Sequence, residues 1–365
     1  MAPIITINGR AISDSTPPFI IAEMSANHNG SLDSAKEIIR AAKFSGADAV
    51  KLQSYTPDTI TLNATSDEFK IAEGLWHGRT LYELYEEAHL PFEWHKPLFD
   101  YARDIGLTIF STPFDKTAVD LLEDLNAPAY KIASFEATDL SLIKYVASTG
   151  KPLIISTGMT SLDEVEEAVE VAKSGGCKEI ALLKCVSAYP ALINDYNLST
   201  IPELKARFGT LVGLSDHTLT STAAIASVAL GARIIEKHFT IDRSRGGPDD
   251  SFSIEPEELN ELCTACKDAY SALGNGVFGA THSEKGNKQF RRSLYFCKPL
   301  RKGQLITEEC IRSVRPGYGI PPKFFEAILG TNVTRDIKEN TAVSWSDLVA
   351  SNRVIQQGQE HDWGN

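Results

Sequence analysis

Two lysines, two histidines and two glutamates stand at or inside short apolar runs, where charge is costly unless something uses it. In chain order the polar ends are Glu23, Lys51 with Gln53, Thr112, Lys131 with Ser134 and Glu136, Ser156, Ser187, Asp216 with His217, and His238. Lys51 and Lys131 lie within apolar stretches, so each is expected to meet an anion rather than to snorkel. Two such lysines point to a phosphate or carboxylate ligand. Ser156-Thr157-Gly158-Met159-Thr160 leads through Ser161 into a helical pattern. It offers hydroxyls and backbone N–H groups where an anion is welcome, and Ser161 serves equally as a helix cap. His217 in Ser215-Asp216-His217-Thr218 and His238 in Glu236-Lys237-His238-Phe239 end consecutive runs. Neighbouring strands would bring both imidazoles to one divalent metal, leaving positions open for water and substrate. Glu23 and Glu136 suit general-base work or the holding of sugar hydroxyls; an ion pair with Lys51 or Lys131 accounts for either one equally well.

These residues need a scaffold that gathers strand ends on one face. The apolar runs are 19–22, 49–52, 107–110, 129–132, 152–155, 180–183, 211–214 and 232–235, each as short as a buried parallel strand. Helical patterns lie between them, among others Ser34 to Phe44, Glu93 to Ile105, Ala118 to Leu125, Leu162 to Lys173 and Ser221 to Leu230. Eight alternations of strand and helix count out an α/β protein with a (β/α)8 TIM barrel, whose strand C-termini carry the chemistry. Ile4 to Ile12 reads as a hairpin on Asn8-Gly9 that caps the barrel bottom. The connection from Ser54 to His95 is longer than one helix needs and is expected to serve the active-site side.

The barrel is expected over residues 1–273, with 274–289 as a linker through Gly274-Asn275-Gly276. A small β-rich domain follows over 290–350, with strand pieces Ser293 to Phe296, Ile311 to Val314 and Val333 to Thr334. Residues 351–365 are polar and without period, hence expected to be disordered.

Composition narrows the function. The chain has 365 residues, 42% apolar, with 36 basic and 48 acidic side chains and a net charge of −12. That balance argues against nucleic acid and anionic membrane surfaces as partners, so an anionic ligand needs a locally basic pocket. No signal peptide or membrane segment is evident, and a cytoplasmic location is expected. The six cysteines are therefore expected to be thiols; Cys263-x-x-Cys266 falls on a helical pattern and reads as core packing.

Several segments resemble the sialic-acid synthase family. They are Ile21-Ala22-Glu23 into Asn27-His28-Asn29-Gly30, Val50-Lys51-Leu52-Gln53, Ser111-Thr112-Pro113-Phe114, Tyr130-Lys131-Ile132-Ala133-Ser134, Ser156-Thr157-Gly158-Met159, Gly213 to Thr218 and Glu236 to Phe239. The likeness runs from about residue 19 to 348, and the part from Arg292-Ser293-Leu294 to Val314-Arg315-Pro316-Gly317 resembles that family's antifreeze-like (SAF) domain. Within the family the chain is most similar to the branch that makes pseudaminic acid, through Glu23-Met24-Ser25-Ala26, Tyr55-Thr56-Pro57-Asp58, Gly74-Leu75-Trp76 and Lys184 to Pro190. N-acetylneuraminate synthases usually carry Gly-Ser-Gly-Glu where this chain has Ala133-Ser134-Phe135-Glu136, and Asn where it has Ser187. Phe135 is expected to make a sugar pocket more apolar, as a 6-deoxy sugar would favour.

The resemblance implies condensation of phosphoenolpyruvate with the open-chain form of an acetamido-deoxy sugar, 2,4-diacetamido-2,4,6-trideoxy-β-L-altropyranose, and water, releasing phosphate. Carried over by motif, Lys51, Thr112, Lys131, Ser134, Ser156, Ser187 and Ser215 hold phosphoenolpyruvate. His217 and His238 bind Mn2+ or Mg2+, and Gln53, Glu136, Tyr189, Asp249 and Arg315 meet the sugar. Glu23 is the acid/base candidate, and Ser187, being shorter than asparagine, makes the least secure contact. A domain-swapped homodimer is implied, with Arg315 of one subunit over the other's sugar. The alternatives are an N-acetylneuraminate or legionaminic acid synthase, another phosphoenolpyruvate-condensing aldolase, and a noncatalytic carbohydrate-binding protein.

Overall fold

A computed structural model describes residues 3–349. The tail expected to be disordered, 351–365, lies outside the described residues. The chain opens with an antiparallel hairpin of β1 (Ile5–Ile7) and β2 (Arg10–Ile12), Ile5 facing Ile12. Its two-residue turn puts Asn8 at φ 49° and Gly9 at φ 79°, the left-handed pair that an Asn-Gly turn supplies at least cost.

Eight parallel strands follow and close on themselves. They are β3 (Phe19–Glu23), β4 (Ala49–Ser54), β5 (Thr108–Pro113), β6 (Tyr130–Ile132), β7 (Leu153–Ser156), β8 (Ile180–Cys185), β9 (Leu211–Asp216) and β10 (Ile234–His238). Each pairs with the next, and β10 returns to β3 with His238 beside Glu23. Most strands run one to three residues beyond the apolar runs, into the polar residues. The reason is layering. Along each strand alternate residues face the barrel axis. The lower inward residues, among them Phe19, Ile21, Phe110, Ile154, Leu183, Leu211 and Ile234, form one buried apolar cluster with Ile5, Ile7 and Ile12 of the hairpin. The hairpin thus plugs the N-terminal mouth, and the inward positions above that cluster carry the polar side chains.

Outward residues such as Ile20, Val50, Ile109 and Ile155 pack against the helices. The first helix, Leu32–Phe44, shows why these form: Ser31 accepts the Ser34 N–H, Asp33 stands in the first turn, and Ala35, Ile38, Ile39 and Ala42 make one buried stripe. Each buried isoleucine contributes about 1.5–3 kcal/mol, more than helix propensity does. Cys263 and Cys266 are buried on the helix Pro256–Ala272, and burial pushes both thiols up to about 12, as inert core residues.

A second compact unit begins at Gly276. Its sheet has the order β12 (Ile311–Val314), β11 (Ser293–Phe296), β13 (Thr341–Ala342), with Ser293 opposite Val314. Leu294, Phe296, Ile311, Ile328, Val333 and Ile337 belong to its separate core. Val333-Thr334, expected as a strand, makes only an isolated bridge from Val333 to Leu348, and the third strand comes from Thr341–Ala342 instead.

Candidate active site

The upper inward layer is a cluster of buried charges. Lys51 Nζ lies 2.8 Å from Glu23 Oε2 and donates to Thr112 Oγ1 at 2.9 Å. Lys131 Nζ meets both oxygens of Glu236 at 2.9 Å, and Glu236 also accepts from Ser215 at 3.3 Å and stands 3.9 Å from Lys51. Of the two open alternatives for the glutamates, the ion pair holds for Glu23 and not for Glu136. Burial pushes Glu23 up to about 7 against the pull of Lys51, with Glu236 adding to the rise. Burial also disfavours charge on Glu236, but the two lysines outweigh it and hold that carboxyl low. With Glu23 partly protonated near neutral pH, the firm carboxylate facing the two lysines is Glu236.

Beside this layer stand the two imidazoles. The rings of His217 and His238 are 5.3 Å apart, and Tyr189 lies 4.4 Å from His217 and 5.9 Å from His238. His217 Nδ1 is 2.7 Å from the Val186 carbonyl, an acceptor, so Nδ1 carries a proton and Nε2 is the nitrogen left to face a cation. Burial, then the neighbouring His217 and lysines, holds His238 well below the usual histidine range. It is neutral, and its buried Nδ1 has no hydrogen-bond partner. Burial lowers His217, but the Cys185 thiol, the Val186 carbonyl and Glu236 outweigh it and raise the ring, so a cation would have to displace its proton. His238 offers a free nitrogen, and two imidazoles side by side fit a divalent cation. Among the described residues no group of three or more His, Cys, Asp or Glu is arranged to hold a metal, so water and substrate would complete any coordination.

The third part is a hydroxyl cradle. Ser134 Oγ accepts the Gly158 N–H at 3.1 Å, and a Cβ at Gly158 would lie 2.3 Å from Ser187 Oγ and 2.7 Å from Ser134 Oγ. Only glycine allows the two hydroxyls to approach its backbone this closely. Ser156 Oγ is buried nearby in sequence without a partner. Glu136 Oε2 is also buried and unpartnered, and burial pushes its carboxyl up to about 7.

The rim loops are tied together by side chains. Asn27 donates to the Phe239 carbonyl and to Ser253, and Asn29 to Asp250, which anchors the loop that carries Asp249. Asp249 accepts from Ser25, and Gln53 Nε2 donates to both Ser25 and Glu23 at 2.9 Å. The long connection after β4 does serve this face: Trp76 donates to the Pro248 carbonyl and leans on Tyr189 at 5.9 Å.

Some expected positions differ. Asp216 is an outward residue, paired with Lys237 at 2.9 Å, because strand alternation puts it opposite in sense to Ser215. Phe135 is 59% exposed; buried aromatic surface comes instead from Tyr55, which packs against Tyr85 and Phe114. Arg315 belongs to the second unit and is exposed there, lining a cavity with Tyr295, Arg312 and Asn340. Glu236 and Cys185 were not expected in the layer. Two-residue spacing from His238 and from Ser187 is the signal that would have found them. Cys185 Sγ lies 3.9 Å from His217 Nδ1.

Comparison with known proteins follows the same residues. A model of the NeuB family matches residues 38–278, and a SAF domain model matches 291–349. The chain belongs to the NeuB family. The first match takes in every barrel position above from Lys51 to Asp249, and the SAF domain contains Arg315. Pseudaminic acid synthase from Campylobacter jejuni is 45% identical over 330 residues, 90% of this chain and 96% of its own length. The Helicobacter pylori protein of that name is 45% identical over 337 residues, 92% of this chain and 99% of its own. Among solved structures, an N-acetylneuraminic acid synthetase from Leptospira borgpetersenii in complex with citrate is 32% identical with a TM-score of 0.71, covering 79% of this chain and 95% of its own.

Proposed function

We propose that the chain is a pseudaminic acid synthase, condensing phosphoenolpyruvate with 2,4-diacetamido-2,4,6-trideoxy-β-L-altropyranose and water to give pseudaminic acid and phosphate. The observation that carries the choice of sugar is the 45% identity, over nine tenths of the chain, to synthases of that name. The buried layer supports the chemistry.

Lys51, Lys131, Thr112, Ser156 and Ser215 hold the phosphate and carboxylate of phosphoenolpyruvate, with Ser134 and Ser187 beside the Gly158 backbone. Preorganised donors of this kind act without reorganisation cost. Gln53, Glu136, Tyr189 and Asp249 meet the open-chain sugar. His217 and His238 hold Mn2+ or Mg2+, which would polarise the aldehyde oxygen. C3 of phosphoenolpyruvate attacks the aldehyde carbon, and the new alkoxide takes up a proton. Water adds at C2, losing its proton to a base, and the C2–O bond to phosphate breaks. Glu23, half-titrated near 7 and held by Lys51 and Gln53, is suited to move that proton.

Leu75, Phe135, Met159, Leu192 and Leu219, all in loops after strand ends, are exposed. Such a rim supports a covering partner, and we assign that role to the SAF domain of a second copy, with Arg315 reaching the sugar. No described helix is long and apolar enough to cross a membrane. Purified protein given phosphoenolpyruvate, Mn2+ and each candidate sugar should release phosphate fastest with the trideoxy sugar. Equal or faster turnover of N-acetylmannosamine would overturn the assignment.

A further inference from the structure

Ser25 lies two residues beyond the end of β3 and adopts φ 45°, a left-handed conformation that penalises every side chain and that glycine takes freely. The penalty makes sense only if the side chain is used. Ser25 is buried, and its hydroxyl donates to Asp249 Oδ2 at 2.5 Å while accepting from Gln53 Nε2 at 2.9 Å. Gln53 Nε2 gives its other hydrogen to Glu23 Oε1 at 2.9 Å. Both amide hydrogens of Gln53 are therefore committed, and Oε1 is the atom left to face a ligand.

We propose that Ser25 is a positioning residue for sugar selection: its hydroxyl fixes Gln53 and Asp249 so that both present oxygen acceptors to the sugar's N–H and O–H groups. The role rests on the pocket being a sugar site. Without the hydroxyl, Glu23 alone restrains the Gln53 amide, and its oxygen is less firmly held toward the sugar. A site that no longer separates donors from acceptors loses discrimination more than it loses phosphoenolpyruvate affinity.

Two variants separate the hydroxyl from the backbone. Ser25→Gly removes both hydroxyl and strain, while Ser25→Ala removes the hydroxyl and keeps the strain. In steady-state assays both should raise KM for the trideoxy sugar about tenfold, leave KM for phosphoenolpyruvate within about twofold, and narrow the preference over N-acetylmannosamine by a similar factor. Thermal melting should show Ser25→Gly at least as stable as the wild type. A glycine variant that behaves like wild type beside an impaired alanine variant would trace the effect to the backbone and overturn the proposal, as would parallel rises in both KM values. Wild-type turnover of the trideoxy sugar left unchanged in both variants overturns the role of Ser25 alone; no wild-type turnover of that sugar removes the function and this role together.

Discussion

Lys131 Nζ stands 2.9 Å from each carboxylate oxygen of Glu236, inside the barrel and shielded from water. Burial disfavours charge on both groups, so each depends on the other, and Lys51 at 3.9 Å shares the same carboxylate. Glu236→Gln should leave Lys131 without a counter-charge and lower stability by about 3 kcal/mol. A bound phosphoenolpyruvate would restore the missing negative charge. Thermal melts with and without saturating phosphoenolpyruvate should therefore show a larger ligand-induced rise in the variant than in the wild type. A smaller rise would contradict the placement of the anion against Lys131.

His217→Ala and His238→Ala should each abolish metal-dependent phosphate release. His217 is oriented by the Val186 carbonyl and His238 keeps a buried, unpartnered nitrogen, so neither ring is merely filling space. Calorimetric titration of Mn2+ into each variant gives an independent reading, with affinity expected to fall at least about 100-fold. A variant that keeps wild-type turnover in Mn2+ would remove its histidine from the metal assignment.

The barrel was legible because its apolar runs are short and evenly interrupted by helical periods, and Lys51, Lys131, His217 and His238 stand out against that background. Glu236 is masked by its neighbours in β10, yet it lies two residues before His238 and so shares its face. The strands run longer than expected because a run defined by apolar residues ends where the polar layer begins. Ser25 carries no local signal, since its left-handed backbone and its ties to Asp249 and Gln53 depend on residues far along the chain. Phe135 gave no such signal either, since side-chain direction in a short 3-10 turn, Ser134–Glu136, has no period to read.

Glu136 should give stability a definite pH dependence. Burial raises its carboxyl from 4.5 to about 7 in the folded protein, while the unfolded chain releases the proton near 4.5. Between those values the folded state holds more protons, so this contribution is fully present below about 4.5 and is lost as pH rises through about 7. Glu136→Gln cannot ionise and should lack the dependence. Denaturant unfolding at pH 5 and pH 8 should show the variant gaining on the wild type by an amount on the order of 2–3 kcal/mol, with the variant ahead at pH 8. Parallel curves for the two proteins would show that burial does not raise the Glu136 carboxyl.

Gly158→Ala tests the hydroxyl cradle without touching a hydroxyl. The new Cβ would sit 2.3 Å from Ser187 Oγ and 2.7 Å from Ser134 Oγ, far inside contact distance, so both hydroxyls must move. The backbone there is not left-handed, but Ser134 Cβ at 3.1 Å cannot rotate away and the Gly158 N–H bond to Ser134 is disturbed, so stability should fall by about 1–2 kcal/mol. The displacement also falls on the groups assigned to phosphoenolpyruvate. Its KM should rise about tenfold or more while the sugar KM stays near wild type, measured by phosphate release with each substrate varied in turn. A fall in stability with both KM values unchanged would make Gly158 a packing residue and take Ser134 and Ser187 out of the anion site.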